Sequence, residues 1–342
     1  MKKLIPLLII IFYLFTFVKA QVPFKAAPPT QGPGSPTYTH DEVKQYDFAD
    51  KADGYWLYQP TSPRPDSANV IVFNHGYGGY NPMIYGAWIK HLVRQGNIVI
   101  YPRYQKNVYF PRPSKFSKQV SKAIRNALIM MENPHFVQPI TKNLIMVGHS
   151  YGGVISADLA INFEKHNIPK PVAIMLCSPG TGPFKGGILD SYENLPADLK
   201  MIVMVSNGDR TVGDAFGIKV FEEAINVTQR NFIRQYADTS IDPKHTCGHN
   251  ESYAVDFDFD TGVRNFTAKR ALRVGKIDNL DYYGYWKIFD ALVDCSRNNE
   301  NCEYAFGDTP EQKSLGELPD GTPLKTLEIT LPPEPTTATS SN

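Results

Sequence analysis

The stretch Asn143-Leu-Ile-Met-Val-Gly-His-Ser-Tyr-Gly-Gly153 decides how the rest of the chain is read. Residues 143–147 are a continuous apolar run of strand length, and the residues after Gly153 continue with helical spacing. Between them stands the pentapeptide Gly148-His149-Ser150-Tyr151-Gly152. A strand that turns sharply into a helix, with a serine at the apex, is a nucleophile elbow. The glycines are needed because side chains two positions either side of the serine would meet backbone. The turn lifts the hydroxyl clear of the sheet. It also sets the N–H of Tyr151 at a helix N-terminus, where negative charge on an oxygen is stabilised.

Outward from the elbow, short apolar runs alternate with helical patterns. Strands are expected over 54–58, 69–73, 97–101, 143–147, 172–176, 201–205 and 231–236. Helices are expected over 85–94, 117–131, 153–166, 215–224 and 282–293. Several of the strand runs are apolar at every position and rich in β-branched residues, as strands buried on both faces are. The alternation predicts an α/β fold, a mostly parallel central sheet with helices on both faces. Only residues 178–199 separate the two strands that follow the elbow, so no large cap domain is expected there. A lid, if present, would come from 250–281.

A serine hydroxyl needs a base within hydrogen-bond reach, and the base needs a carboxylate to orient it. After an elbow of this kind the acid and then the histidine follow in chain order. Asp209 follows the run 201–205, at the carboxyl end of a strand, where ligands bind in α/β sheets. It is the candidate acid, with Asp214 as rival. His249 and His245 lie beyond the run 231–236. His249 is the stronger candidate base, because Gly248 lets the backbone turn back towards the serine. The second oxyanion donor is sought in Asn74-His75-Gly76-Tyr77-Gly78-Gly79, after the run 69–73. The backbone N–H groups of Tyr77 and Tyr151 are the candidate pair. His75 is expected to brace this loop by hydrogen bonding. Tyr77, Tyr80, Tyr85, Trp88, Tyr104, Tyr109 and Phe110 are candidates for lining an apolar cleft.

With His-Gly loop, elbow, acid turn and histidine loop in this order, the chain resembles the α/β-hydrolase superfamily over roughly residues 45–300. The short oxyanion loop, the turn Gly208-Asp-Arg-Thr-Val212 and the run Asn97-Ile-Val-Ile-Tyr-Pro-Arg-Tyr104 look like its compact secreted esterase branch. That branch includes dienelactone-hydrolase-like, chlorophyllase-like and polyester-hydrolase-like members. The resemblance implies a serine hydrolase acting on carboxylic esters through Ser150, Asp209 and His249. It implies no metal or organic cofactor. Its substrate would be a small ester, a lipid or a polyester. A peptidase, thioesterase or acyltransferase on the same fold is the first alternative. A binding protein on a hydrolase scaffold is the second.

The ends read differently. Lys2 and Lys3, an apolar stretch over 4–18, and small residues Val18 and Ala20 before Gln21 form a secretory signal peptide over 1–20. The apolar stretch is short for a membrane span. Residues 21–39 form an extended leader, 40–310 the catalytic domain and 311–342 a C-terminal extension, expected to be disordered from about 331. A net charge of +1 gives no electrostatic case for nucleic acid or for stable membrane attachment. Export leaves the protein secreted or periplasmic and lets its four cysteines pair. Cys295 and Cys302 are the expected bridge; Cys177 and Cys247 could make a second. The segment Asp256-Phe-Asp-Phe-Asp260 fails the EF-hand template and is expected to be a half-buried strand.

Overall fold

The computed structural model describes residues 26–184, 186–242 and 244–333. The expected signal peptide, the first residues of the leader and the tail from 334 onward lie outside the described residues.

Among the described residues nine strands form one sheet. They are β1 (Glu42–Phe48), β2 (Tyr55–Thr61), β3 (Ser67–Asn74), β4 (Asn97–Pro102), β5 (Gln138–His149), β6 (Ala173–Cys177), β7 (Lys200–Ser206), β8 (Gln229–Gln235) and β9 (Glu328–Thr330). Their order is β1-β2-β4-β3-β5-β6-β7-β8-β9. The pairs from β4 to β8 are parallel, whereas β1, β2 and β9 join antiparallel at the two edges. The helices are α1 (Gly86–Arg94), α2 (Phe116–Met130), α3 (Tyr151–Ile161), α4 (Phe163–His166), α5 (Ala215–Glu223), α6 (Phe266–Val274), α7 (Lys287–Asn298), α8 (Cys302–Ala305) and α9 (Pro310–Lys313).

The strand residues explain the layering. Along β5, Leu144 and Met146 point into one core and Ile145 and Val147 into the other. Along β3 the same alternation sends Val70 and Val72 one way, Ile71 and Phe73 the other. A period of two with apolar residues at every position buries a strand on both faces. One face is covered by α1 and α7, through Trp88, Leu92, Ile288 and Phe289. The other is covered by α2, α3 and α5, through Val120, Ile124, Ile155 and Val220. This is an α/β fold with helices on both faces of a mostly parallel sheet. Every residue of α3 from Tyr151 to Ala160 is buried, so the helix behind the elbow has no solvent face.

The extension beyond 310 is partly structured, since α9 and β9 pack on the body of the domain. Lys287 carries its ammonium inward to the carbonyls of Glu311, Gln312 and Ser314 at 2.7, 3.1 and 2.6 Å. Cys295 and Cys302 are joined, tying the end of α7 to the start of α8. The second bridge does not form: Cys177 and Cys247 are both free and buried.

The segment 256–260 also departs from expectation, being a tight helical turn over Phe257–Phe259. The carboxylate of Asp256 accepts from the N–H of Asp258 and starts the turn, a local bond that competes with strand pairing. Phe259 is buried beneath it while Phe257 faces solvent. Lys90 then pairs with Asp256 and Asp258, and Arg264 with Asp260.

Candidate active site

The elbow is strained as its sequence requires. Ser150 sits at φ 54° and ψ −121°, between the end of β5 and the start of α3. A side chain at Gly148 would put its Cβ 2.3 Å from the carbonyl oxygen of Gly152. One at Gly152 would meet the carbonyl oxygen of Asn74 at 2.0 Å. The second clash is the tighter one, and it lies between the elbow and the loop that follows β3. The two loops can share one site only because Gly152 has no side chain.

Ser150 Oγ lies 2.9 Å from His249 Nε2. His249 Nδ1 lies 2.7 Å from Asp209 Oδ2. Because a carboxylate can only accept, the Nδ1 of a neutral His249 carries the proton and Nε2 is left to accept from the serine. The other carboxylate oxygen of Asp209, Oδ1, accepts from the N–H groups of Thr211 and Val212 at 2.8 and 3.1 Å. The Asp209 side chain is 1% exposed. Burial alone would push its carboxyl up, but the His249 hydrogen bond and the two N–H groups hold it below the ordinary carboxylate range.

The rival residues are committed elsewhere. Asp214 pairs with Arg234 at 2.7 Å. His245 pairs its backbone with Asp238 in both directions, at 2.8 and 2.9 Å, and its side chain is buried.

The loop after β3 lies against the elbow. The N–H of Gly78 donates to Gln105 Oε1 at 2.6 Å, and the N–H of Gly79 to the carbonyl of Gly76 at 2.8 Å. Among the described residues nothing accepts from the N–H of Tyr77 or of Tyr151. His75 is buried behind the loop, its Nε2 2.9 Å from the carbonyl of Arg103 and its ring stacked on Tyr104. Burial pushes it down to about 4, against the carbonyls of Gly76 and Arg103 that face its two nitrogens and favour the proton.

A cavity of about 450 Å³ opens beside Ser150, lined by Tyr77, Val108, Phe184, Val212, Tyr253 and Phe266 among others. The Tyr77 and Phe184 rings stack at 4.7 Å between centroids. Of the seven aromatic candidates only Tyr77 lines the cavity. Tyr80, Tyr85, Trp88 and Tyr104 are core residues, and Tyr109 and Phe110 project into solvent. One wall comes from α6, within the stretch 250–281 named above as the source of any lid. Thr267 Oγ1 donates to the carbonyl of Tyr77, and Asn265 Nδ2 to that of Gly78 at 2.7 Å. Helix α6 is therefore fastened to the loop after β3.

Two neighbours of the site hold places the sequence did not point to: His149, at a free position of the elbow motif, and Tyr85, expected at the cleft wall. Only the folded chain brings them together. Tyr85 Oη is 2.8 Å from His149 Nδ1, and His149 Nε2 is 2.7 Å from the carbonyl oxygen of His249.

No helix among the described residues is long and apolar enough to cross a membrane. A search of curated proteins finds no match. Residues 57–194, from β2 past the elbow, match the family model described as Chlorophyllase. The matched part contains the loop after β3 and Ser150, while Asp209 and His249 lie beyond it. With that match running from β2 to past β6 and a sheet of this order, the chain has the α/β-hydrolase fold, and its matched part is similar to the chlorophyllase family.

Proposed function

We propose that this protein is an exported serine hydrolase that cleaves carboxylic esters through an acyl-enzyme on Ser150. The observation that carries the reading is the unbroken line from Asp209 Oδ2 to His249 Nδ1 and from His249 Nε2 to Ser150 Oγ, at 2.7 and 2.9 Å.

The chemistry follows from that line. Ser150 Oγ attacks the ester carbonyl as His249 Nε2 takes its proton. Asp209 holds the imidazole in the productive tautomer and stabilises the imidazolium that forms. Charge gathers on the former carbonyl oxygen, where the N–H groups of Tyr77 and Tyr151 serve as donors. The intermediate collapses, the alcohol leaves with the proton from His249, and the acyl group stays on Ser150. Water then repeats the sequence and frees the acid. The chlorophyllase-like match supports ester bonds as the target, and the apolar cavity supports an apolar acyl or alcohol group.

The test is turnover of matched esters, amides and thioesters by the purified mature chain and by Ser150→Ala. Ester hydrolysis should lead, and the alanine variant should lose about 10³–10⁶ in kcat. Wild-type turnover in that variant removes the serine mechanism, and amide turnover above ester turnover makes the protein a peptidase. Export is read separately, from the N-terminus of the secreted protein. It should begin at Gln21, and a retained Met1 would remove the signal peptide.

A further inference from the structure

His149 occupies the first free position of the elbow motif, which constrains glycine and serine but says nothing of what lies between. Its ring is buried and both of its nitrogens have partners. The directions of these bonds are determined. The carbonyl of His249 can only accept, so His149 Nε2 carries the proton. His149 Nδ1 must then accept, and among the described residues the hydrogen facing it is that of the Tyr85 hydroxyl. Tyr85 Oη in turn accepts from the N–H of Gly76 at 3.1 Å. One directed chain therefore runs from Gly76 N–H through Tyr85 and His149 to the backbone of His249. It joins the oxyanion loop, the elbow and the loop of the base. Burial keeps the His149 imidazole neutral, as this chain requires, pushing it down to about 3.

The loop of the base needs such a tie. Between β8 and α6 the described residues include no regular element except the turn at Phe257–Phe259. Around His249 the backbone is held by longer contacts: Glu251 N–H to the Gly248 carbonyl at 3.3 Å, Gly248 N–H to Glu251 Oε2 at 3.4 Å and Tyr253 N–H to the Asn250 carbonyl at 3.1 Å. These close a local turn, which is tied down on either side of His249, where Cys247 Sγ donates to the Gln235 carbonyl of β8 at 3.4 Å and the N–H of Ala254 to the Ile84 carbonyl at 2.9 Å. At His249 itself the tie is the 2.7 Å bond from His149, and among the described residues no other group donates to that carbonyl. Gly76 matches this arrangement from the other side, since a Cβ there would lie 2.9 Å from His149 Nδ1 and 3.2 Å from Ser150 Cβ.

We propose that His149 is a positioning residue, which holds the backbone of His249 at the distance from Ser150 that proton transfer needs and couples it through Tyr85 to the oxyanion loop. The inference rests on the serine-hydrolase reading above. A misplacement of about 1 Å can cost about 10²-fold in rate, so loss of this tie should show in kcat more than in KM.

The experiment compares wild type, His149→Leu, His149→Gln, Tyr85→Phe and Ser150→Ala, all in the full mature chain. It reads kcat and KM on a p-nitrophenyl ester, the pH profile of kcat, the melting temperature, and the rate of covalent labelling by a fluorophosphonate. His149→Leu should lose about 10–100-fold in kcat and in labelling rate, with KM within about threefold of wild type. His149→Gln keeps a donor and an acceptor on one side chain and should recover a large part of that loss. Tyr85→Phe should fall between wild type and His149→Leu, with an altered pH profile. Wild-type kcat and labelling in a folded His149→Leu variant overturn the proposal, as does equal impairment of the Leu and Gln variants. If His149→Leu does not fold, Tyr85→Phe decides, and an unchanged kcat and pH profile there overturns it. Failure of wild type to be labelled, or labelling of Ser150→Ala, removes the serine reading and the inference with it. Labelling of wild type at the same rate as folded His149→Leu removes the inference alone.

Discussion

Ser150, Asp209 and His249 come from three loops, and each is fixed by something other than the other two. Ser150 is held by the positive φ of the elbow, Asp209 by the N–H groups of Thr211 and Val212, and His249 by the carbonyl contact with His149. Independent supports mean that removing one side chain leaves the others in place. His249→Ala should therefore lose activity on the scale of Ser150→Ala while keeping its fold. His245→Ala, whose backbone bridge to Asp238 needs no imidazole, should keep most of its kcat. Steady-state kinetics on both variants, with melting curves, checks this; the reverse ranking would move the base to His245. Gly152 makes a different prediction, because the group it avoids is backbone. Gly152→Ala forces its Cβ against the carbonyl of Asn74, and backbone yields less easily than a flexible side chain. A stability loss of at least about 1–3 kcal/mol is expected, with activity falling too because the oxyanion loop is what moves. A melting temperature equal to wild type would mean the two loops separate freely. The order of Ser150, Asp209 and His249 was legible in the sequence because the motif prescribes it and because each follows a strand. His149 and Tyr85 were not legible: a free position in a motif and one aromatic among many carry no signal until the chain is folded.

Elements buried on both sides were the easiest to read. The seven strand runs found in the sequence all correspond to strands, because a continuous apolar run needs nothing beyond its own residues to be recognised. The two strands that were missed lie at the sheet edges. β1 mixes Glu42, Lys44 and Gln45 with half-buried Tyr46, and β9 has three residues next to a proline-rich tail. Edge strands are defined by the neighbour they pair with. The turn over Phe257–Phe259 was misread for a related reason: alternating Phe and Asp has strand periodicity, but Asp bonds to its own backbone first. The carboxyl cluster of Glu251, Asp278 and Asp281 shows the same dependence on assembly. It joins the histidine loop to the π-helical turn Leu280–Trp286, and its ligand-bearing oxygens lie within 4.8 Å of one another. Burial, and then the charge of Asp278, push Glu251 up to about 8, and burial pushes Asp281 well above the carboxylate range. Carboxyls raised on folding hold protons that the unfolded chain releases above about pH 4.5. Their contribution is therefore full at lower pH and is lost as pH rises towards 8. The melting temperature should fall between pH 5 and 8, and the slope should be shallower in Asp281→Asn, which keeps an acceptor for the N–H of Asp278. Equal slopes at constant ionic strength would place the pH dependence elsewhere.

At the scale of the molecule, the two cores flanking the sheet form a rigid base, and the cavity lies where β5 gives way to α3. The rim around the cavity is built from short connections. Only 178–199 separates β6 from β7, and α6 supplies the opposite wall through Phe266, Thr267 and Arg270. A rim of this kind leaves one side open while Tyr77, Phe184 and Phe266 form an apolar surface next to Ser150. Each methylene that leaves water for such a surface contributes at most about 0.8 kcal/mol, or roughly fourfold in kcat/KM. A series of p-nitrophenyl esters of rising acyl length should therefore show kcat/KM climbing from acetate through the short acyl chains, by up to about fourfold per carbon, until the chain outgrows the apolar wall. Phe266→Ala removes part of that wall without touching the three hydrogen-bonded side chains. It should flatten the climb while leaving acetate turnover within about threefold of wild type, since acetate reaches little beyond the oxyanion loop. A profile that falls from acetate onward would mean that the alcohol, rather than the acyl group, occupies the cavity, and a series varied in the leaving group would then show the climb instead. No climb in either series would leave the apolar wall without a part in substrate choice.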